Sequence, residues 1–140
     1  MIKDVKITVK GIQGVDGNSD TVELVTDGRF GIKDGKYFIS YDEGQLIEGG
    51  FVKTKLLINS PSSVVLNRCG AINSRMEIKK KEKTICLYST PIGNISMEIY
   101  GEDLKIDLNE MGGRLKLEYS LYSNSKPISR NKVEITVKEV

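Results

Sequence analysis

Apolar residues recur with a period of two along nearly the whole chain, in short runs separated by turn residues. The last run shows the rule, because Val133, Ile135 and Val137 alternate with charged residues and a threonine. An extended strand points successive side chains to opposite faces, so this pattern predicts strands with one buried and one solvated face. Strands of that kind form antiparallel sheets. No stretch has the period that predicts a helix.

About ten such runs fit into the chain, and short turns join most of them. The clearest turn is Asp34-Gly35 between two alternating runs, since both residues accept positive φ and favour a tight hairpin. Short connections join strands that are neighbours in space, and closure removes the exposed edges of an open sheet. The sequence therefore predicts an all-β fold, a single closed antiparallel up-and-down β-barrel of about eight to ten strands that spans residues 1–140.

Three local patterns add to this prediction. Gly101-Glu102-Asp103 interrupts the alternation and is expected to form a turn between two strands. Ile85 and Leu87 are the apolar residues of their run and are expected to face the interior. The glycine-rich segment 43–51 is the least regular part of the chain and is expected to be the longest loop or a lid.

The charge of the chain is nearly balanced, with 21 basic and 19 acidic side chains and a net charge of +2. Lysines alternate with acids instead of clustering, which argues against a nucleic-acid partner and against a membrane surface. No apolar run resembles a signal peptide or a transmembrane span. Cys69 and Cys86 are the only thiols, and we expect both to be reduced in a cytoplasmic protein.

The sequence lacks the residues that most catalytic sites use. Without histidine there is no Ser-His-Asp or Cys-His pair and no imidazole ligand, so we expect no enzyme, no catalytic residue, no metal site and no cofactor. The segment Asp16–Asp20 has part of the ligand spacing of a calcium loop, but Thr21 stands where that loop needs glycine. Paired acids also occur, and turn preference already explains them; they are Asp42/Glu43, Glu102/Asp103 and Asp107/Glu110.

Several polar residues stand at positions that the alternation turns inward. As candidate ligand-binding residues we name Thr26, Tyr37, Tyr41, Thr54, Arg68, Ser74 and Tyr119. Buried polar groups need partners, so these side chains either line a small pocket or fill the barrel. In the filled barrel the tyrosine hydroxyls reach the rim, and Arg68 closes one end through backbone carbonyls.

Other residues are apolar at positions expected to face outward, and a contiguous patch of them would mark an interface. They are Val25, Phe38, Leu57, Val65 and Tyr88. Two functions therefore stay open. The first is the binding of a small amphipathic molecule, with Arg68 and the tyrosines at its polar end. The second is a filled barrel that acts through its outer face, as a homodimer or with another protein.

A set of short motifs, spread along nearly the whole chain, resembles the bacterial YwiB-like proteins. The motifs are Tyr37-Phe38-Ile39-Ser40-Tyr41-Asp42-Glu43, Arg68-Cys69-Gly70 with Met76, Thr90-Pro91-Ile92-Gly93, Met111-Gly112-Gly113 before Leu117-Glu118-Tyr119-Ser120-Leu121, and Val133-Glu134-Ile135. The order and spacing of these motifs carry the resemblance. It implies a calycin-like β-barrel, related in shape to lipocalins, whose biochemical role is uncharacterised. Barrels of this shape host unrelated activities, so the resemblance implies a fold and leaves the function open.

Overall fold

The protein is a β-barrel, and almost every described residue outside the turns belongs to a strand. The computed structural model describes residues 2–15, 17–42, 52–70, 73–90 and 93–140, with only the backbone of Tyr88 and Thr90. Its strands are β1 (Ile2–Val15), β2 (Asn18–Lys33), β3 (Lys36–Asp42), β4 (Val52–Ser60), β5 (Ser63–Gly70), β6 (Asn73–Lys79), β7 (Lys83–Thr90), β8 (Gly93–Asn109), β9 (Gly112–Ser123) and β10 (Lys126–Glu139). The expected loop or lid at 43–51 lies outside the described residues.

Each strand pairs with its neighbours in the chain, and the barrel closes where β1 pairs with β10. All strand pairs are antiparallel, so the prediction of a closed up-and-down barrel is confirmed. The hairpin at Asp34-Gly35 also has the expected backbone, because φ is 53° at Asp34 and 76° at Gly35. Within the described ranges, no helix is long and apolar enough to cross a membrane.

The inward faces of the strands form one continuous apolar core. Burying such a side chain contributes about 1.5–3 kcal/mol each, and this supplies the main driving force for folding. The largest fully buried side chains are Phe30, Ile7, Ile39, Leu56, Ile78, Ile99, Leu115, Leu117, Ile135, Val5, Val52 and Val64. The alternation of the sequence therefore identifies the inward faces of most strands.

Strand β8 runs without a break through the segment that was expected to be a turn. The register against β9 shifts between Gly101 and Asp103, which is a β-bulge with Glu102 as the extra residue. The Ser120 hydroxyl donates to the Glu102 carboxylate at 3.0 Å. The prediction of a turn was wrong because a glycine followed by two acids suits a bulge as well as a hairpin.

Strand β7 faces the opposite way from the prediction. Cys86 pairs with Met97 and is fully buried, whereas Ile85 and Leu87 are 71% and 62% exposed. The inward placement of Ile85 and Leu87 was wrong. The register with β8 sets the orientation of β7, and a shift of one residue exchanges the two faces of a strand.

The turn after β6 contacts β8. The Lys81 N–H donates to the Gly101 carbonyl at 2.7 Å, and the Gly101 N–H donates to the Glu82 carbonyl at 3.3 Å. Lys80 Nζ also lies 3.3 Å from the Asp103 carboxylate. The hydrogen bond and charge of Lys80 hold the pKa of Asp103 below its usual value. The basic run 79–83 is thus a turn with a structural role.

We expect Gly101→Ala to destabilise the barrel by about 2 kcal/mol or more, because overpacking of a closed site is costly. A Cβ atom at Gly101 would overlap the carbonyl group of Lys79. Gly14→Ala is the matched control, since a Cβ there meets its nearest atoms at 3.8 Å, an ordinary contact distance. Urea unfolding followed by circular dichroism measures both changes. Equal stability of the two variants would contradict the close approach at Gly101.

Candidate functional site

The barrel contains a cavity of about 410 Å³, which is lined by residues of β1, β2, β3, β5, β9 and β10. Cavities of this size hold small organic ligands. Its aliphatic lining comprises Val9, Ile12, Val22, Leu24, Leu66, Leu117, Leu121, Val133 and Ile135. Its polar lining comprises Gln13, Asp20, Glu23, Tyr41, Arg68, Tyr119 and Asn131. The described wall therefore combines nine aliphatic residues with seven polar ones.

Arg68 reaches the cavity because it continues the inward face of β5 after Val64 and Leu66. Thr54 of β4 and Ser74 of β6 lie directly opposite Arg68 on either side. Both neighbours are buried, with exposed fractions of 0% and 7%. The Nε atom of Arg68 is also shielded from solvent. A fixed cation is thus held between two hydroxyl-bearing residues at the cavity wall.

Tyr41 adds a further polar residue beside Thr54, because it pairs with Thr54 on the side away from Arg68. Tyr41, Thr54, Arg68 and Ser74 therefore form a continuous row across β3 to β6, which we call the polar row. Among the residues that the structure describes, the Ser74 hydroxyl is buried and makes no hydrogen bond. Burial without a hydrogen-bond partner is costly for a hydroxyl, so the Ser74 hydroxyl lowers the stability of the polar row.

Tyr119 and Asn131 form a second polar group on β9 and β10. They pair directly with each other, and the Asn131 amide donates to the Ser129 hydroxyl at 3.0 Å. Asn131 is absent from the sequence-based candidates, although it continues the inward alternation of Val133 and Ile135 by one step. Following that alternation back toward the start of β10 would have identified it.

The structure brings only some of the candidate residues to the cavity. Tyr41, Arg68 and Tyr119 line it, whereas the described side chains of Thr26, Tyr37, Thr54 and Ser74 lie outside its lining. The Thr26 hydroxyl donates to the carbonyl oxygen of Asp42 at 3.3 Å. Tyr37 stacks on Phe30 with ring centroids 5.5 Å apart and an angle of 7°. Thr26 and Tyr37 therefore have local structural contacts.

Gly11 leaves part of the cavity open. A Cβ atom at this position would meet nothing within 4 Å, although Gly11 lines the cavity and pairs with Val22 and Val133. A Cβ atom added at Gly11 would therefore lie in open space. Asp20 and Glu23 are exposed acids in the same lining. Solvent screens charges at such positions much more than it screens a shielded group.

The described lining presents aliphatic side chains together with polar groups that could contact a small molecule. Among the described residues, no group of three or more histidine, cysteine or acidic side chains could hold a metal ion. Cys69 is exposed and Cys86 is buried, and both are free thiols. The polar lining provides hydrogen-bond donors and one cation around an apolar floor. Such a lining fixes the orientation of a ligand that the apolar part encloses.

Of the apolar residues that were predicted to face outward, the structure describes the side chains of four, on β2, β3, β4 and β5. Phe38, Leu57 and Val65 are direct neighbours across β3, β4 and β5, and packing covers much of them. Val25 is 60% exposed on β2. The side chain of Tyr88 lies outside the described part of the structure.

The fold and the cavity define a closed ten-stranded antiparallel β-barrel with a lining of mixed polarity. The model of a domain of unknown function, DUF1934, matches residues 7–135. The chain therefore belongs to the DUF1934 family, and the resemblance predicted from its motifs is confirmed. The calycin relationship that the resemblance implies stays a prediction.

A curated relative and a solved structure agree with this assignment. The chain is 26% identical over 132 residues to the uncharacterized beta-barrel protein YwiB of Bacillus subtilis (strain 168), covering 94% of this chain and 91% of that protein. The crystal structure of the ywiB protein from Bacillus subtilis matches with a TM-score of 0.89 and 24% identity. That match covers 99% of this chain and 93% of the other and shows a shared fold.

The two thiols should react at very different rates with a water-soluble disulfide reagent. Cys69 is exposed and should react at once, whereas Cys86 is buried and should react only when the barrel opens. Absorbance of the released thiolate measures both phases, and Cys69→Ser should remove the fast one. Two fast thiols in the folded protein would contradict the burial of Cys86.

Proposed function

We propose that this protein binds a small amphipathic molecule in the barrel cavity. The observation that carries the proposal is a cavity of about 410 Å³ with an aliphatic floor and a few polar groups that include Arg68, Tyr41 and Tyr119. Apolar surface of the ligand would be removed from water by the floor, and its polar end would meet the tyrosines and Arg68. Binding without catalysis is part of the proposal, and the absence of histidine from the sequence supports it.

The proposal includes a location for the protein, which is the cytoplasm. The surface charges are nearly balanced, and both cysteines are free thiols. Free thiols are typical of proteins in a reducing compartment. A metabolite with an alkyl chain and a polar end is the class of ligand that fits, since the floor contains aliphatic side chains only.

Gly11→Leu tests whether the cavity is the binding site. Octanol is the probe, and isothermal calorimetry measures its affinity for the wild type and for the variant. The leucine side chain would occupy free space in the cavity, so we expect the affinity to fall at least about tenfold. The fold should remain, because glycine is a weak strand former and the position has no close contacts.

Gly14→Leu is the matched control on the same strand. Gly14 is outside the described cavity lining, and a Cβ atom there would have ordinary contacts. We expect Gly14→Leu to bind octanol like the wild type. The proposal fails if the wild type does not bind octanol, or if Gly11→Leu and Gly14→Leu bind it equally well. Native mass spectrometry of the protein taken directly from cells shows in addition whether a small molecule stays bound.

A homodimer formed through the outer face is the second candidate. The observation that favours it is the exposure of Ile85 and Leu87, which lie on the outer face of β7. Charged residues flank this pair, since Arg75 lies beside Leu87 and Glu98 lies beside Ile85. Opposite charges on the two sides of an apolar centre suit a two-fold contact in which each patch faces a copy of itself.

The dimer is tested with the double substitution Ile85→Lys and Leu87→Glu. If β7 forms the interface, sedimentation velocity should show a dimer for the wild type and a monomer for the variant at the same concentration. Val25→Lys is the control, because Val25 is an exposed apolar residue on β2. A monomeric wild type, or a variant that remains dimeric, would remove this candidate.

A further inference from the structure

We infer that the ligand of the cavity carries an anionic group, a carboxylate or a group of similar shape and charge, and that Arg68 binds it. This inference rests on the proposed function and specifies the class of ligand. The described cavity lining contains one cation, Arg68, and two acids, Asp20 and Glu23, beside its aliphatic side chains. A planar guanidinium matches a carboxylate with two parallel hydrogen bonds, which favours this head group over a neutral one.

The surroundings of Arg68 strengthen its effect on an anion. Its Nε atom is shielded from solvent, and the residues beside it, Thr54 and Ser74, are buried. The interaction between two charges is about fourfold stronger in a partly buried protein environment than in bulk water. An anionic group beside Arg68 therefore gains more than the same group would gain on the outer surface.

The acids of the lining do not cancel this preference. Asp20 and Glu23 are exposed, so water and salt screen their repulsion of an anion. Tyr41 and Tyr119 add phenolic hydroxyls that can donate to an anionic oxygen. The shielded part of the lining thus favours a negatively charged ligand group. The two acids are exposed, where their repulsion of such a group is weakest.

On the outer surface, lysines form ion pairs across neighbouring strands. Lys6 pairs with Asp27 directly across the strands at 2.6 Å, and Lys132 pairs with Glu118 at 3.2 Å. These pairs are exposed and contribute little to binding or stability. Arg68 differs from these lysines in position, because it lines the cavity, and the described lining contains no other cation.

The test compares octanoate, octanol and octylammonium, which share one alkyl chain and differ in the charge of the head group. Isothermal calorimetry at neutral pH and low salt measures the affinity of the wild type for each. We expect octanoate to bind at least about tenfold more tightly than octanol, as a charge-assisted hydrogen bond predicts, and octylammonium to bind most weakly.

Arg68→Met keeps most of the side-chain volume and removes the charge. We expect this variant to lose the preference for octanoate over octanol, because the charge that distinguishes the two head groups is gone. Arg68→Lys keeps the charge without the planar fork and should show an intermediate preference. Arg75→Met is the control, because Arg75 is an exposed residue of β6 outside the described cavity lining, and it should leave all three affinities unchanged.

The wild-type series remains decisive if Arg68→Met fails to fold. Equal affinity for octanoate and octanol would overturn the anion inference and leave the proposed function standing, since both probes would still bind. The same holds if a folded Arg68→Met keeps the preference for octanoate. Absence of binding by all three probes would overturn the proposed function itself.

Discussion

Backbone pairing around a closed ring is the constraint on which the rest of this structure depends. Nine of the ten strand contacts join neighbours in the chain, and the tenth joins β1 to β10. An open edge would expose unpaired backbone groups. The ladder between β6 and β7 is short, reaching from Asn73 to Arg75 on β6. Beyond it, the Thr84 hydroxyl donates to the Glu77 carbonyl, and the turn after β6 joins β8 at Gly101. Closure therefore relies on a side chain and a turn where the ladder ends.

The width of the ring explains why the interior is both a core and a cavity. A barrel of about eight strands has an interior that side chains just fill, and additional strands widen it. Large aliphatic residues and Phe30 fill much of this barrel. Near Gly11 no side chain fills the space, and the cavity remains. The same enclosure that keeps water from the core shields Arg68, so the cavity combines an apolar floor with a charge of increased effect.

Charge on the outside has a different role. Arg29 lies across from Asp4, and Arg114 and Lys116 both lie near Glu134, at 3.5 and 3.9 Å. Opposite charges across a strand pair support the register, and like charges there are destabilising. Each exposed pair is weak, yet the repeated pattern leaves the surface nearly neutral. The polar row on the inside cannot be explained in this way, because its hydroxyls and its cation face the interior.

The sequence by itself determined that the protein is a barrel and identified the inward face of most strands. Alternation is a local property, and an extended strand points alternate side chains to opposite faces. It placed Tyr41, Arg68 and Tyr119 inside, and the structure has them at the cavity. Only the tertiary structure decided the bulge at Gly101 and the register of β7. In that register Cys86 faces the interior, and Ile85 and Leu87 face outward. It also decided that space remains near Gly11 and that Asn131 borders it. Register and cavity volume depend on how the side chains of all strands fill one ring, and no single run of residues contains that information.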